Sequence, residues 1–229
     1  MLRTLHPRTG NVVPLPVLTG PAISELAYEK EDDRYRKLLG TKAWMRLPKV
    51  VRSRFKKKLE DGETRLYKGE VVETMMTWTG RLIAHCARIV GGPLPLTPKA
   101  VGPANVIVTE NAALGAQTWT RVYARDGRFP QVITSAKRFT GPTGLEECLG
   151  YGMLMRLQLL EEDGALVFRS TGYALEILGR AITLPDWFGP GRCDVIHRDI
   201  GHDQFTFTLE LHHKLLGLLI RQVAIFKEV

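Results

Sequence analysis

The chain has 229 residues, of which 44% are hydrophobic, close to the average of globular proteins, so it can bury a sizeable core. No stretch approaches the roughly 18 apolar residues of a membrane span, and residues 1–19 lack the continuous apolar core of a secretory signal. The three cysteines are far apart and odd in number, which argues against a disulfide framework and predicts a cytoplasmic location.

The net charge of +8 is concentrated in one segment, residues 42–58, which holds eight cations and no acid. Val51, Phe55 and Leu59 recur every four residues, so a helix opening at Pro48 would bury this side. The opposite side of this basic helix is expected to be solvated. Weak contact with polyanions is predicted for Arg52, Lys56, Lys57 and Lys58.

The first 92 residues carry mainly helical signals. Residues 1–23 have an irregular, loop-like pattern. Ser24 is placed to cap a helix that runs to Gly40. A first strand is predicted near 65–74, and Thr79 is expected to cap a further helix. We therefore expect residues 24–92 to be mainly helical, with one strand.

After Pro98 the hydrophobic period changes to two. Strands are predicted near 104–110, 117–125, 131–139, 144–149, 153–161, 165–174, 193–200, 204–212 and 217–226. Short connections between them imply antiparallel neighbours. The predicted fold is a single α+β domain, residues 1–229, in which two or three helices precede a strongly curved antiparallel sheet, resembling a half-barrel, over residues 104–228.

The last part of this sheet contains two charged residues whose position depends on a turn. A two-residue loop at Gly201-His202 would place Asp194 and Arg198 on the apolar side, together with Phe205 and Phe207. A three-residue loop would reverse this assignment, since one residue of register moves every side chain to the other face. With the shorter loop, the solvated side receives His197, Asp199, Gln204, Thr206 and Thr208.

Several short segments, in this order and spacing, resemble an uncharacterised bacterial family known as domain of unknown function 4166. The similarity runs from about Asp33 to Phe226. Its landmarks are Tyr35–Gly40, Leu47-Pro48, Trp119-Thr120-Arg121-Val122-Tyr123, Leu149-Gly150, Phe168-Arg169-Ser170, Leu184–Gly189, Phe205-x-Phe207 and Leu216-Gly217. The resemblance implies one predominantly β domain and supplies no established activity.

Motifs for nucleotides, nucleophilic serine or metals are missing from the sequence. The glycines form neither a G-x-G-x-x-G nor a Walker pattern, and there is no Gly-x-Ser-x-Gly elbow. His212 and His213 would point to opposite sides of a strand, and His197 and His202 form only a loose cluster. We therefore expect neither a cofactor nor a metal.

Two carboxylates are candidate acid–base residues. Glu147 alternates with Leu145 and Leu149, so it is predicted to lie on an apolar face where a carboxyl group holds its proton more tightly. Asp194 is the second candidate. The alternative for Glu147 is a structural ion pair with Arg121 or Arg138.

A ligand pocket is predicted from the strand at 117–125, one side of which carries Trp119, Arg121 and Tyr123. Large aromatic residues favour the interior, and a buried arginine needs an anion beside it. Met153 and Met155 are candidates for the apolar wall. The predicted ligand-binding residues are Trp119, Arg121, Tyr123, Phe168, Tyr173 and Arg198.

These features support two functions of different classes. The first is a protein that holds an amphipathic, anionic small molecule in the curved sheet, either for binding alone or for an acid–base rearrangement of the isomerase or cyclase type without a metal. The alternative is a non-catalytic interaction module that uses the basic helix to contact an acidic partner or a membrane surface.

Overall fold

A computed structural model describes residues 31–98 and 100–229, so the segment 1–23 and the start of the first predicted helix lie outside it. The helices are α1 (Arg34–Leu39), α2 (Thr41–Arg46), α3 (Lys49–Lys56) and α4 (Trp78–Cys86), the last followed by a 3-10 turn at Ala87–Val90. The strands are β1 (Thr64–Met76), β2 (Gly102–Asn111), β3 (Ala116–Tyr123), β4 (Gln131–Arg138), β5 (Glu146–Gly150), β6 (Met153–Glu162), β7 (Ala165–Ile177), β8 (Arg180–Thr183), β9 (Arg192–Gly201), β10 (Gln204–His213) and β11 (Gly217–Glu228).

The strands form a closed antiparallel barrel rather than the predicted half-barrel. Neighbours in sequence pair with one another, except that β7 pairs with β9 while the short β8 extends from its end. The ring of ten strands closes because β1 pairs with β11, the last strand. Of all the strand pairs, β1 and β11 are the farthest apart in the sequence. The alternating pattern of each strand is the same in an open sheet and in a closed barrel, so the sequence does not reveal the closure.

Gly69 of β1 lies directly against the backbone of β11. A Cβ atom at this position would lie 1.9 Å from the carbonyl oxygen of Ile225. The sequence indicates a bulge at this glycine, but the register of β1 shifts between Val71 and Glu73, and Gly69 instead permits the closure of the barrel.

The up-and-down order of the strands gives the barrel two distinct ends. Helices α1 to α3 cover one of them, which we call the closed end, where Arg34 contacts Glu110 at the end of β2 and Arg46 contacts Glu161 at the end of β6. The other, the open end, is formed by α4 with residues 87–98 and by the connections 124–130, 151–152, 178–191 and 214–216.

The hairpin of β9 and β10 corrects the predicted orientation of Asp194 and Arg198. The two turn residues are His202 and Asp203, both with positive φ, and the register shifts by one residue between Gln204 and Phe205. Phe207 consequently lies opposite His197, and Phe205 opposite Asp199. His197 therefore points into the barrel, whereas Asp194 and Arg198 belong to the outer face.

Two helix predictions are also corrected. The cations of residues 42–58 lie on α2, on α3 and just beyond it, instead of on one basic helix, although Val51, Phe55 and Leu59 are buried as expected. The cap of α4 is Thr77, whose side chain accepts a hydrogen bond from the backbone N–H of Gly80 at 3.0 Å, and not Thr79.

Helix α4 lies against β11 through the backbone of Gly80. A Cβ atom there would come within 2.4 Å of the carbonyl oxygen of Leu219. Replacing this glycine by alanine should therefore push the helix away from the barrel. We expect Gly80→Ala to lower the free energy of unfolding by about 1–3 kcal/mol in urea denaturation, the usual effect of overpacking. Arg81→Ala, at an exposed position on the same helix, should change it by less than about 0.5 kcal/mol. Equal effects of the two variants would contradict this packing.

Candidate functional site

A cavity of about 450 Å³ occupies the half of the barrel nearer the open end. Its walls are almost entirely apolar, and they include Leu149, Met153, Met155, Val195, Leu209 and Leu211. Helix α4 contributes Ile83, and the loop after β8 contributes Phe188. The two methionines confirm the predicted apolar wall, and the volume lies within the roughly 300–1,000 Å³ of small-molecule sites.

Among the residues that the structure describes, Arg121 of β3 and Glu147 of β5 are the Arg, Lys, Asp and Glu side chains that line this cavity, and they form its floor. They belong to a buried cluster with Ser135 and Lys137 of β4. Arg121 donates a hydrogen bond to Ser135 Oγ at 2.6 Å, and Ser135 donates to Glu147 Oε1 at 2.6 Å. Lys137 Nζ donates to Glu147 Oε2 at 3.1 Å, while Arg121 Nη2 lies 3.5 Å from Oε1.

The electrostatics of the cluster keep Glu147 ionised. Burial alone would raise the pKa of this carboxyl group, but the charges of Lys137 and Arg121, with the hydrogen bond from Ser135, outweigh it and lower the pKa to about 2. Burial lowers the pKa of Lys137, against the opposing effect of Glu147. While Lys137 keeps its proton, two cations face one carboxylate, and the cluster holds one excess positive charge.

An aromatic layer lies behind the cluster, on the side of the closed end. Lys137 Nζ lies 4.6 Å from the ring centroid of Trp119 and 5.3 Å from that of Phe168. His197 contacts both rings, and burial together with the charges of Arg54 and Lys137 lowers its pKa well below the usual value. Trp119 and Phe168 are therefore part of the packed core beneath the floor rather than of the cavity wall.

Further polar groups line the cavity above the floor, among them Tyr173, Cys193 and His213. Tyr173 donates a hydrogen bond to the carbonyl oxygen of Gly191 at 3.0 Å. Burial raises the pKa of the Cys193 thiol to about 12, so this side chain is neutral at ordinary pH and behaves as a small apolar group.

The predicted site residues fall into four locations, one of which is the packed core that contains Trp119 and Phe168. Arg121, Glu147 and Tyr173 share the cavity. Tyr123 lies in a separate small cleft beside Gln131 at the open end, where burial raises its pKa. Asp194 and Arg198 are on the outer face: Asp194 lies 3.1 Å from Arg169 and 3.3 Å from Arg192, and the exposed Arg198 donates to the backbone of Asp163 at 2.6 Å.

Sequence reasoning missed Ser135 and Lys137. The predicted strand near 131–139 already placed Ile133, Ser135 and Lys137 on one side by alternation. The register of β3 and β4 then sets Ser135 opposite Trp119. Pairing these neighbouring strands would have revealed a serine and a lysine beside Arg121, a pattern that neither strand shows alone.

The basic segment makes several contacts within the chain. Arg46 pairs with Glu161 and Lys56 with Glu31. The guanidinium of Arg54 lies 3.9 Å from the ring centroid of Phe205. Part of this positive charge therefore already serves the packing of the helices on the closed end.

Residues 47–226 match the family described as Domain of unknown function (DUF4166). Because this match covers most of the chain, the protein belongs to that family, as the sequence landmarks indicated. No curated protein matches the chain. Within residues 31–98 and 100–229, no helix is long and apolar enough to cross a membrane, and no group of three or more His, Cys, Asp or Glu side chains could hold a metal ion.

The buried cluster predicts a marked acid sensitivity that depends on Glu147. Its pKa is lower in the folded state than in the unfolded chain, so its contribution is present above about pH 4.5 and is lost as the pH falls toward 2. Glu147→Gln leaves the two cations without their anion and should lower the free energy of unfolding by about 3–5 kcal/mol near neutral pH. Denaturant unfolding measured from pH 7 to pH 2 should also show a smaller loss of stability with acid in this variant.

Glu162→Gln is the matched control, since Glu162 forms an ion pair with Arg169 on the outer face. It should change stability by at most about 1 kcal/mol, as an exposed pair does. An acid profile of Glu147→Gln identical to that of the unchanged protein would contradict the assignment of a strongly ionised Glu147.

Proposed function

We propose that this member of the DUF4166 family binds an amphipathic molecule with a single anionic group, whose apolar body fills the cavity and whose anion contacts Arg121. One observation carries the proposal: an apolar cavity of about 450 Å³ ends at Arg121 and Glu147, and the buried cluster that these residues form with Lys137 holds more positive than negative charge. The closed ten-stranded barrel is compatible with ligand binding, since barrels of this size enclose more space than their own side chains fill.

The excess positive charge of the cluster gives the cavity a preference for an anionic ligand. Lys137 and Arg121 share one carboxylate, and the buried Nε of Arg121 has no hydrogen-bond partner. A buried arginine cannot release its proton, so a further anion beside it would stabilise the cluster. A carboxylate or similar group on the ligand would neutralise the floor, and its alkyl or ring portion would cover the methionine and leucine wall.

The protonation states of Glu147 and Cys193 favour binding over acid–base catalysis. A carboxylate with a pKa of about 2 is a weak proton acceptor, and Glu147 also orients Arg121 and Lys137. The thiol of Cys193 is neutral, which makes it a poor nucleophile. In this proposal Glu147 positions the binding arginine, and Asp194 on the outer face has no part in the site.

Comparing dodecanoate with dodecanol tests the proposal, because the two probes share a chain and differ in charge. We expect the unchanged protein to bind dodecanoate more tightly in isothermal titration calorimetry. Arg121→Met leaves Glu147 paired with Lys137, so the fold should persist. It should weaken dodecanoate binding by about 10-fold or more, the effect of losing a charge-assisted hydrogen bond of about 1.5–3 kcal/mol, and leave dodecanol nearly unchanged.

Arg138→Met supplies the control for a lost charge on the neighbouring strand. Arg138 lies outside the cavity and contacts Glu176 at 2.7 Å and Glu146 at 3.7 Å. The Arg138→Met variant should bind dodecanoate as tightly as the unchanged protein does. The proposal fails if dodecanoate binding survives Arg121→Met, or if neither probe binds the unchanged protein.

A further inference from the structure

Large apolar side chains at the tips of the open end are fully exposed to solvent. Each connection carries at least one such residue, and seven of them are between 79% and 99% exposed: Trp78, Ile89, Phe129, Tyr151, Leu178, Trp187 and Leu215. In the described part of the chain, every exposed Phe, Tyr or Trp lies at this end. The exposed apolar residues of the closed end, such as Met45 and Val50, are aliphatic. Soluble surfaces rarely gather such residues without a partner.

Two of these exposed residues have a backbone conformation that is unfavourable for a large side chain. Tyr151 and Leu178 have positive φ values of 49° and 51°, a conformation that favours glycine or asparagine. Leu178 is 99% exposed and buries nothing to compensate for it. A bulky apolar residue is thus kept where neither the backbone nor the packing favours it, which points to a role outside the chain.

Exposed cations accompany the apolar tips. Arg88 precedes Ile89, Arg128 precedes Phe129, and Lys214 precedes Leu215. Arg180 follows Leu178 by two residues. The acids in these connections are Asp126 and Asp186, and Asp186 pairs with Lys214 at 3.1 Å, so Arg88, Arg128 and Arg180 supply the remaining positive charge. Apolar and aromatic groups next to Lys and Arg are the combination that binds the interface of an anionic bilayer. A second copy of the chain would instead set these cations against one another.

The mouth of the cavity lies within the same surface. Ile89, Phe188 and Leu216 line the cavity and are also 79%, 61% and 53% exposed. An amphipathic ligand could therefore pass between a bilayer and the cavity along apolar side chains without crossing water.

We propose that the open end docks on the surface of a bilayer containing anionic lipid, and that the cavity exchanges its ligand there. This inference rests on the proposed function for the ligand, whereas the docking itself uses only the tips and their cations. The helices of the closed end face away from the bilayer in this orientation.

Flotation with vesicles tests the docking. The unchanged protein should float with vesicles of phosphatidylcholine and phosphatidylglycerol in equal parts, and much less with phosphatidylcholine alone. Tyr151→Asn with Leu178→Asn suits the positive φ at both positions, so stability should be kept while the vesicle partition coefficient falls by about tenfold or more. Trp187→Ser with Leu215→Ser should have a similar effect.

Met45→Ser with Val50→Ser removes exposed apolar groups from the closed end and should float like the unchanged protein. Docking is overturned if the tip variants float as well as the unchanged protein, if that protein ignores anionic vesicles, or if light scattering shows a dimer that the tip variants dissociate. Dodecanoate binding in solution is measured on each variant. If the unchanged protein binds dodecanoate but does not float with anionic vesicles, the docking is rejected and the proposed function is retained.

Discussion

The interaction of Glu147 with the two cations beside it is the constraint on which the interior of this barrel depends. A guanidinium and an ammonium cannot be buried among leucines and methionines without an anion, and Ser135 joins the three groups in one hydrogen-bonded cluster. The cluster fixes Arg121 and Glu147 at the boundary of the cavity. The same burial makes the cluster sensitive to the loss of any one partner.

The cluster also divides the barrel into two unlike halves. Toward the closed end, Trp119, Phe168 and His197 pack with other aromatic rings, and the remaining cavity there is about 30 Å³. Toward the open end, the strands enclose about 450 Å³ behind α4. The half toward the closed end is therefore a densely packed core. The half toward the open end lacks the packing contacts that would stabilise a filled barrel. Such an arrangement is expected where an interior serves a ligand.

The two ends differ in the way their charges are used. At the closed end, cations of α2 and α3 pair with carboxylates or stack on Phe205, so they hold the helices on the barrel. At the open end, Arg88 and Arg128 are exposed beside apolar tips, and the exposed Lys214 pairs with Asp186 at 3.1 Å. The segment with the highest charge in the sequence is thus partly structural, and less conspicuous cations stand at the mouth of the cavity.

The sequence alone determined the positions of ten strands and the inward side of the strands that carry Arg121, Glu147 and the two wall methionines. A period of two is a local property, so it placed Arg121 and Glu147 on interior faces and identified Met153 and Met155 as wall residues. Their pairing was one of two open alternatives, because a strand does not show which neighbour it meets.

Only the tertiary structure decided what lies between distant segments. The pairing of β1 with β11 closes the barrel, and Gly69 permits it through contact with a strand more than 150 residues away. A one-residue shift beyond His202-Asp203 moved Asp194 out and His197 in, a choice that turn geometry makes and alternation cannot. Alternation separated the two faces of each strand. Which inward residues meet, and at which end the barrel stays hollow, was settled by pairings that span the whole chain.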